Sequence, residues 1–167
     1  MEESLFSLSN GFVIRNDVEN LSVKMMQQIQ QLMSILTESV PISDQQIQTI
    51  LKEWQNKQIY TCLFAQDIKT DDIIGFLKIF KERKISHNAA FLWHIEDVVV
   101  HENYRNWGIG KQLLQEAICL FQLQNGKYKL HEDYVYALRL YCSPDLIKYY
   151  ESLGFCNHGS TVMNMKQ

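Results

Sequence analysis

The segment Arg105-Asn106-Trp107-Gly108-Ile109-Gly110 has the composition of an anion-binding turn that leads into a helix. A helix N-terminus presents unpaired backbone N–H groups and the positive end of the helix dipole. Gly108 and Gly110 let this backbone approach a ligand closely and adopt conformations that a Cβ atom would forbid. Arg105 and Lys111 add positive charge. The sequence therefore predicts a phosphate or pyrophosphate on this turn.

The two common nucleotide-binding signatures do not fit this turn. The nucleotide-triphosphate loop needs Gly-Lys-Ser/Thr, whereas Gly110-Lys111 is followed by Gln112. The dinucleotide fingerprint needs a third glycine, and this chain has Leu113 there. Taken alone, the motif leaves one alternative open, a glycine-containing turn before an ordinary helix.

Two adjacent carboxylates, Glu96 and Asp97, interrupt the apolar run that precedes the turn. Neighbouring strand residues point to opposite faces, so we expect these two side chains on opposite sides of the sheet. A charge inside such a strand costs free energy unless it is paired or its pKa rises, and a carboxylate with a raised pKa suits a general base. The alternative is that one of them caps a backbone N–H group or pairs with an arginine.

Tyr149 and Tyr150 lie in a helix-like segment that runs into Leu153-Gly154-Phe155. Aromatic residues in this setting usually pack in the core, which is what we expect of Tyr149. A phenol beside a leaving thiolate can instead donate a proton, and we assign that role to Tyr150.

The elements that must position these residues follow from periodicity and breakers. We expect one α/β domain over residues 1–167, with a core of about 11–166 and a mixed sheet flanked by helices. The predicted elements are a strand at 12–15, a helix from 21 to about 38, a helix capped by Ser43 and Gln46, strands at 59–65, 73–80 and 89–100, a helix at 108–124, strand pieces at 127–130 and 138–142, a helix from Ser143-Pro144 to Gly154, and a strand at 161–165. Residues 81–84 are predicted to be a solvated hairpin end, and 130–137 an insertion or a strand extension.

Composition excludes several classes of protein. The net charge of −3 gives no electrostatic reason to expect nucleic acid, and no apolar run is long enough for a membrane span. The acidic N-terminus does not resemble a signal peptide, so we expect a cytoplasmic protein. The four cysteines form no CxxC pair and the five histidines no HExxH motif, so no metal site is expected.

Taken in order, three segments resemble the motifs of the GCN5-related N-acetyltransferase (GNAT) superfamily: Asp97 to Val100, Tyr104 to Lys111, and Tyr149 to Phe155. Four further segments are similar to eukaryotic glucosamine-6-phosphate N-acetyltransferases of the hexosamine pathway: Gly11 to Arg15, Glu82 to His87, His94 to Asp97, and Tyr128-Lys129. The resemblance implies a GNAT domain with acetyl-CoA as co-substrate and no metal. It also implies a homodimer in which C-terminal strands cross between subunits.

The resemblance further implies roles for individual residues. Glu96 would accept the proton of the amine, with Asp97 beside it, and Tyr150 would protonate the coenzyme A thiolate after direct attack without an acyl-enzyme. The residues implied around coenzyme A are Val98, Val99, Val100, Arg105, Asn106, Trp107, Gly108, Ile109, Gly110, Lys111 and Tyr141. Those implied around the sugar phosphate are Thr37, Lys84, His87, Glu96, Asp97, Tyr128, Lys129 and Lys166.

Three positions depart from the family pattern. Tyr141 replaces an acidic residue, Leu146 replaces an asparagine, and Lys166 replaces an arginine, with loss of bidentate geometry toward phosphate. Two alternatives therefore stay open. The chain could acetylate another amine, such as a protein N-terminus or a polyamine, or it could be a CoA-binding module without catalysis.

Overall fold

The centre of the structure, a computed structural model that describes residues 6–9, 11–126 and 134–159, is a six-stranded sheet in the order β1-β2-β3-β4-β5-β6. The strands are β1 (Phe6–Ser9), β2 (Phe12–Arg15), β3 (Tyr60–Asp67), β4 (Ile73–Arg83), β5 (Phe91–Val100) and β6 (Val135–Leu140). Each neighbouring pair is antiparallel except β5 and β6, which are parallel. The mixed α/β sheet predicted from the sequence is thus confirmed.

Helices cover both faces of this sheet. They are α1 (Val23–Met33), α2 (Asp44–Trp54), the single turn α3 (Ser86–Ala89), α4 (Ile109–Gly126) and α5 (Ile147–Glu151). Short 3₁₀ turns lie at Val18–Asn20, Glu102–Tyr104 and Pro144–Leu146. No helix among the described residues has the length and apolar character needed to cross a bilayer.

The two faces bury separate apolar layers. On one face, α4 packs Ile109, Leu113 and Ala117 against inward residues such as Leu77 and Ile95. On the other face, α1 and α2 pack their apolar stripes against residues that include Phe64, Phe76 and Val99. Because both faces are covered, β3 and β4 read as nearly continuous apolar runs rather than as alternating ones.

The start of α2 follows the predicted chemistry, but the bounds of two other helices differ from the prediction. The capping box is present at α2, where Ser43 and Gln46 satisfy each other's backbone N–H groups. However, α1 ends at Met33, not near residue 38. Ile35 and Leu36 continue the apolar pattern of the helix but lie in an exposed turn. The pattern in the sequence is therefore longer than the buried helix. The helix predicted from Ser143-Pro144 to Gly154 is divided into the 3₁₀ turn Pro144–Leu146 and the short α5.

Strand β4 continues to Arg83, so the predicted hairpin end at residues 81–84 is wrong. The charged side chains are each compensated along the strand: Lys81 Nζ lies 5.0 Å from the ring centre of Trp93, and Arg83 lies 4.0 Å from that of Phe91. Residues 135–137 belong to β6 and are a strand extension. The predicted strands at 127–130 and 161–165 lie outside the described residues.

Candidate active site

The sheet opens between β5 and β6 at the position of the two carboxylates. The parallel ladder pairs Phe91 with Val135 and ends where Ile95 meets Leu140. Beyond it, residues 96–100 of β5 pair with β4 on one side, and the described part of β6 has already ended on the other. Among the described residues no strand pairs with this side of residues 96–100, which leaves peptide N–H and C=O groups for a ligand such as a pantetheine arm.

A β-bulge lies at this opening. Lys78 pairs with Glu96 and Phe76 pairs with Val99, so Asp97 and Val98 together face the single residue between them on β4. Asp97 has φ of 58°, in the left-handed region. Residues three apart in a regular strand point to opposite faces, yet Ile95 and Val98 both pack in the α4 layer. The bulge therefore shifts the in–out alternation of the β5 side chains by one residue.

The bulge overturns the expectation that Glu96 and Asp97 point to opposite faces. Lys78 Nζ lies 3.4 Å from Glu96 Oε2 and 2.7 Å from Asp97 Oδ2, so both carboxylates meet one ammonium group. The side chains of Glu96, Asp97 and Lys78 are 48%, 29% and 18% exposed. The period-2 rule fails here because a left-handed residue turns its side chain out of the regular pleat.

Lys78 is the site residue that the sequence analysis missed. Burial acts to lower the pKa of Lys78, but the hydrogen bond to Asp97 and the charges of Asp97 and Glu96 outweigh it and raise that pKa above its usual value. The signal was present in the sequence, because a lysine inside the run Ile-Ile-Gly-Phe-Leu-Lys-Ile-Phe must find a carboxylate partner. Both carboxylates are paired, but with a lysine and not with the arginine considered in the sequence analysis.

The predicted anion turn immediately precedes α4. Asn106 and Gly108 have φ of 67° and 81°, and the N–H of Gln112 donates to the Gly108 carbonyl at 2.9 Å as the helix begins. The left-handed backbone predicted at Gly108 is therefore present. Gly110 lies in the first turn of α4 without a left-handed backbone, so the unusual conformation expected there is absent, whereas its close approach to a ligand stays a prediction. A Cβ there would make ordinary contacts, 3.5 Å from Val100 Cγ2 and 3.9 Å from Tyr149 Oη.

The side chains of the turn divide into two groups. Arg105, Asn106, Trp107 and Lys111 are exposed, as expected of residues that meet a ligand from solution. Ile109 is buried in the core, so only its backbone can contact a cofactor. The same holds for Val99, whose side chain packs in the α1 and α2 layer.

The tyrosine pair of α5 lies against this turn, but with burial opposite to the expectation. Tyr150 is 9% exposed and packs edge-on to Tyr149 and Phe155, with ring centres 5.3 and 6.0 Å away. Tyr149, expected in the core, is 38% exposed and places its hydroxyl toward Gly110. Burial, followed by the nearby Cys142 and Tyr149, raises the pKa of Tyr150, so this phenol holds its proton at neutral pH.

Of the residues expected around a sugar phosphate, Lys84 lies just after the end of β4, where it meets a polar group shared with β5. Lys84 Nζ lies 2.5 Å from Glu82 Oε1, while His94 Nε2 lies 3.0 Å from Glu82 Oε2. His94 and Glu96 are two residues apart before the bulge and so share one face of β5. A line of polar groups thus leads from Lys84 to Glu96.

His87 lies in α3, next to this line. His87, Asn88 and Ala89 have φ of 58°, 57° and 58°, a left-handed turn that non-glycine residues rarely adopt. The ring of His87 stacks on that of Tyr136 from β6. The structure gives no contact that joins Thr37, an exposed residue after α1, to this group, and Tyr128, Lys129 and Lys166 lie outside the described residues.

The departures from the family pattern lie at the open end of β6. Tyr141 follows the last residue of β6 and is 59% exposed, and Leu146 is also exposed. In the described part of the chain, no group of three His, Cys, Asp or Glu side chains is arranged to hold a metal ion.

Comparison with known proteins places this geometry in a family. The acetyltransferase (GNAT) family profile matches residues 27–155. The probable glucosamine 6-phosphate N-acetyltransferase of Drosophila melanogaster is 34% identical over 125 residues, which are 75% of this chain and 53% of that protein. Glucosamine 6-phosphate N-acetyltransferase 1 of Dictyostelium discoideum is 31% identical over 124 residues, 74% of this chain and 73% of that one. This chain thus spans about half the length of the Drosophila relative.

Solved structures agree with the fold. The glucosamine-6-phosphate N-acetyltransferase of Arabidopsis thaliana superposes with a TM-score of 0.79 at 20% identity, over 95% of this chain and 100% of that one. An acetyltransferase of Trypanosoma brucei gives 0.78 at 24% identity, over 93% and 99%. With the family profile covering most of its length, this chain belongs to the acetyltransferase (GNAT) family.

Proposed function

We propose that this protein transfers the acetyl group of acetyl-CoA to the amine of glucosamine 6-phosphate and so forms N-acetylglucosamine 6-phosphate for the hexosamine pathway. The observation that carries this proposal is the position of Glu96 and Asp97, at the point where β5 leaves β6 and four and three residues before the strand ends. The names of the relatives from Drosophila and Dictyostelium support the choice of acceptor.

Acetyl-CoA fits the described residues in two places. The backbone N–H groups at the start of α4 and the exposed Arg105 and Lys111 suit its pyrophosphate. The open edge of β5 at Val98–Val100 suits the pantetheine arm, which is built of amides that pair with a strand edge. Bound there, the thioester supplies an activated acetyl group.

Two side chains of the protein, those of Glu96 and Tyr150, then transfer protons. The substrate amine must be neutral to attack, and Glu96 accepts its proton, directly or through a water molecule. A backbone N–H along Val98–Val100 stabilises the oxyanion. Tyr150 gives its proton to the departing thiolate sulfur. The free amine becomes an amide, and no acyl group passes through the protein.

Lys84 and His87 would meet the phosphate of the sugar, with Lys129 and Lys166 from segments outside the described residues. We further propose that the chain forms a single domain, works in the cytoplasm and assembles as a homodimer that exchanges C-terminal strands. The single domain and the cytoplasmic location rest on length and composition, and the homodimer rests on the resemblance.

A different amine acceptor is the second candidate, and two observations favour it. Glu82 already occupies Lys84 in an ion pair, and Tyr141 replaces the acidic residue at the end of β6. Both features weaken the case for a phosphorylated sugar, whereas the turn before α4 that suits the pyrophosphate of acetyl-CoA is unchanged.

The deciding experiment measures thiol release from acetyl-CoA with a panel of amines that includes glucosamine 6-phosphate, glucosamine, spermidine and a peptide N-terminus. We expect the phosphorylated sugar to be the best substrate by kcat/KM. Equal values for glucosamine and glucosamine 6-phosphate would rule out a phosphate-selective site. Acetyl-CoA binding without thiol release for every amine would identify a non-catalytic module.

A further inference from the structure

Lys78 reaches both candidate catalytic carboxylates from the neighbouring strand. Its Nζ lies 2.7 Å from Asp97 Oδ2 and 3.4 Å from Glu96 Oε2, and the side chain is mostly buried. We propose that Lys78 is a positioning residue of acetyl transfer, whose ammonium group holds Glu96 and Asp97 on one side of the sheet and balances part of their charge. This proposal rests on the function proposed above.

The strand register supports this role. Lys78 is the direct cross-strand partner of Glu96, so their side chains leave the same face of the sheet. Asp97 has no such partner, and its left-handed backbone brings its carboxylate to the same ammonium group. One cation therefore fixes a regular strand residue and a bulge residue together.

The charge balance supports it as well. Two carboxylates on adjacent residues repel each other, and a single cation between them reduces their joint charge from −2 to −1. Loss of that cation would leave two neighbouring anions in a half-buried site, which makes the doubly ionised state less favourable. The acid limb of the activity profile should then move to higher pH.

The surrounding elements offer few competing charges. Cys62 lies directly across from Lys78 on β3, and burial raises the pKa of its thiol to about 12, so it is uncharged at neutral pH. His94 is held by Glu82. The remaining ionisable residues of β3, β4, α1 and α2 are Tyr60, Asp67, Lys81, Arg83, Lys24, Asp44, Lys52 and Glu53. Those of α1 and α2 are exposed, and Lys81 packs on Trp93 in the opposite layer.

The test compares the pH dependence of kcat/KM for the wild type, Lys78→Met, Lys78→Arg and a matched control, Lys81→Met. The control removes one positive charge from the same strand but from the other face. We expect Lys78→Met to lower kcat about tenfold or more and to move the acid limb upward by about one pH unit. Lys78→Arg and Lys81→Met should keep the acid limb of the wild type.

Circular dichroism and acetyl-CoA titration accompany each variant, so that a folding defect is recognised. If Lys78→Met does not fold, Lys78→Gln replaces it, and the acid limb of Lys78→Arg provides the second reading. An acid limb that superimposes on the wild type in a folded neutral variant overturns the proposal. An acid limb displaced in Lys78→Arg as far as in the neutral variant also overturns it.

The acceptor is a separate question in this design. Should glucosamine 6-phosphate give no turnover while another amine does, the proposed acceptor is wrong, and the same four profiles are measured with that amine. A wild type that binds acetyl-CoA but acetylates no amine refutes both the function and the role of Lys78. The two failures are therefore distinguishable.

Discussion

The imidazole of His87 and the phenol ring of Tyr136 lie parallel, with ring centres 3.9 Å apart and planes 2° apart. One ring comes from a left-handed turn and the other from β6, so the stack joins two elements at the end of the sheet where we propose that the acceptor binds. Such a stack holds the histidine in one orientation.

Tyr136→Ala should therefore weaken acceptor binding. Loss of a stack is worth about 0.5–1.5 kcal/mol, so we expect KM for the amine acceptor to rise roughly two- to tenfold while the dissociation constant of acetyl-CoA is unchanged. Tyr136→Phe keeps the ring and should behave as the wild type. Steady-state kinetics with varied acceptor and calorimetry with acetyl-CoA give the two numbers, and an equal loss in both would show a general disruption.

Tyr150→Phe should lower kcat about a hundredfold, within the range known for loss of a general acid. Phenylalanine keeps the packing against Tyr149 and Phe155, so stability and acetyl-CoA affinity should change little. Tyr149→Phe is the matched control, and its kcat should stay within a few-fold of the wild type. Turnover of Tyr150→Phe equal to that of the wild type would remove this hydroxyl from the mechanism.

The alkaline side of the kcat profile should report the same phenol. Tyr150 must be protonated to donate, and its pKa lies above the usual 10.0 because burial disfavours the phenolate. Activity should thus persist up to the ordinary tyrosine pKa and fall only above it, and the fall should be absent from the residual rate of Tyr150→Phe. A loss of kcat centred well below pH 10, with the protein still folded, would contradict this assignment.

Alanine substitutions at two glycines test core packing and ligand contact separately. A Cβ at Gly75 would lie 2.9 Å from Ile109 Cγ2 and 3.2 Å from Leu113 Cδ1, so Gly75→Ala should destabilise the protein by about 1–3 kcal/mol through overpacking. A Cβ at Gly110 meets only ordinary contacts, so Gly110→Ala should keep the stability but weaken acetyl-CoA binding. Urea unfolding and calorimetry distinguish these outcomes, and unchanged affinity in Gly110→Ala would show that the cofactor does not approach this glycine.

The sequence predicted the elements that depend on local signals. The capping box at Ser43 and Gln46 and the left-handed glycine at 108 are properties of a few neighbouring residues, and both are present. The apolar periods of α2 and α4 also correspond to buried faces, because each helix covers one side of the sheet.

What the sequence missed depends on pairing between distant segments. At the bulge, β5 has one residue more than the facing part of β4. From Asp97 onward, the β5 side chains therefore point to the faces opposite to those that simple alternation predicts. The partner of Glu96 and Asp97 is Lys78, 18 and 19 positions earlier, and no local rule joins them. Strand β4 continues through Lys81 and Arg83 because their charged groups pack on aromatic rings of β5.

Residues 75–78 of β4 lie outside every motif segment named in the sequence analysis, yet both halves of the candidate site contact them. Gly75 receives the first turn of α4, and Lys78 receives the two carboxylates. The interval between them is three strand residues, about 10 Å at 3.3 Å per residue. β4 therefore sets the spacing between the proposed cofactor and acceptor sites. Loops around the acceptor can diverge without altering this spacing, whereas an insertion or deletion inside residues 75–78 would uncouple the two halves.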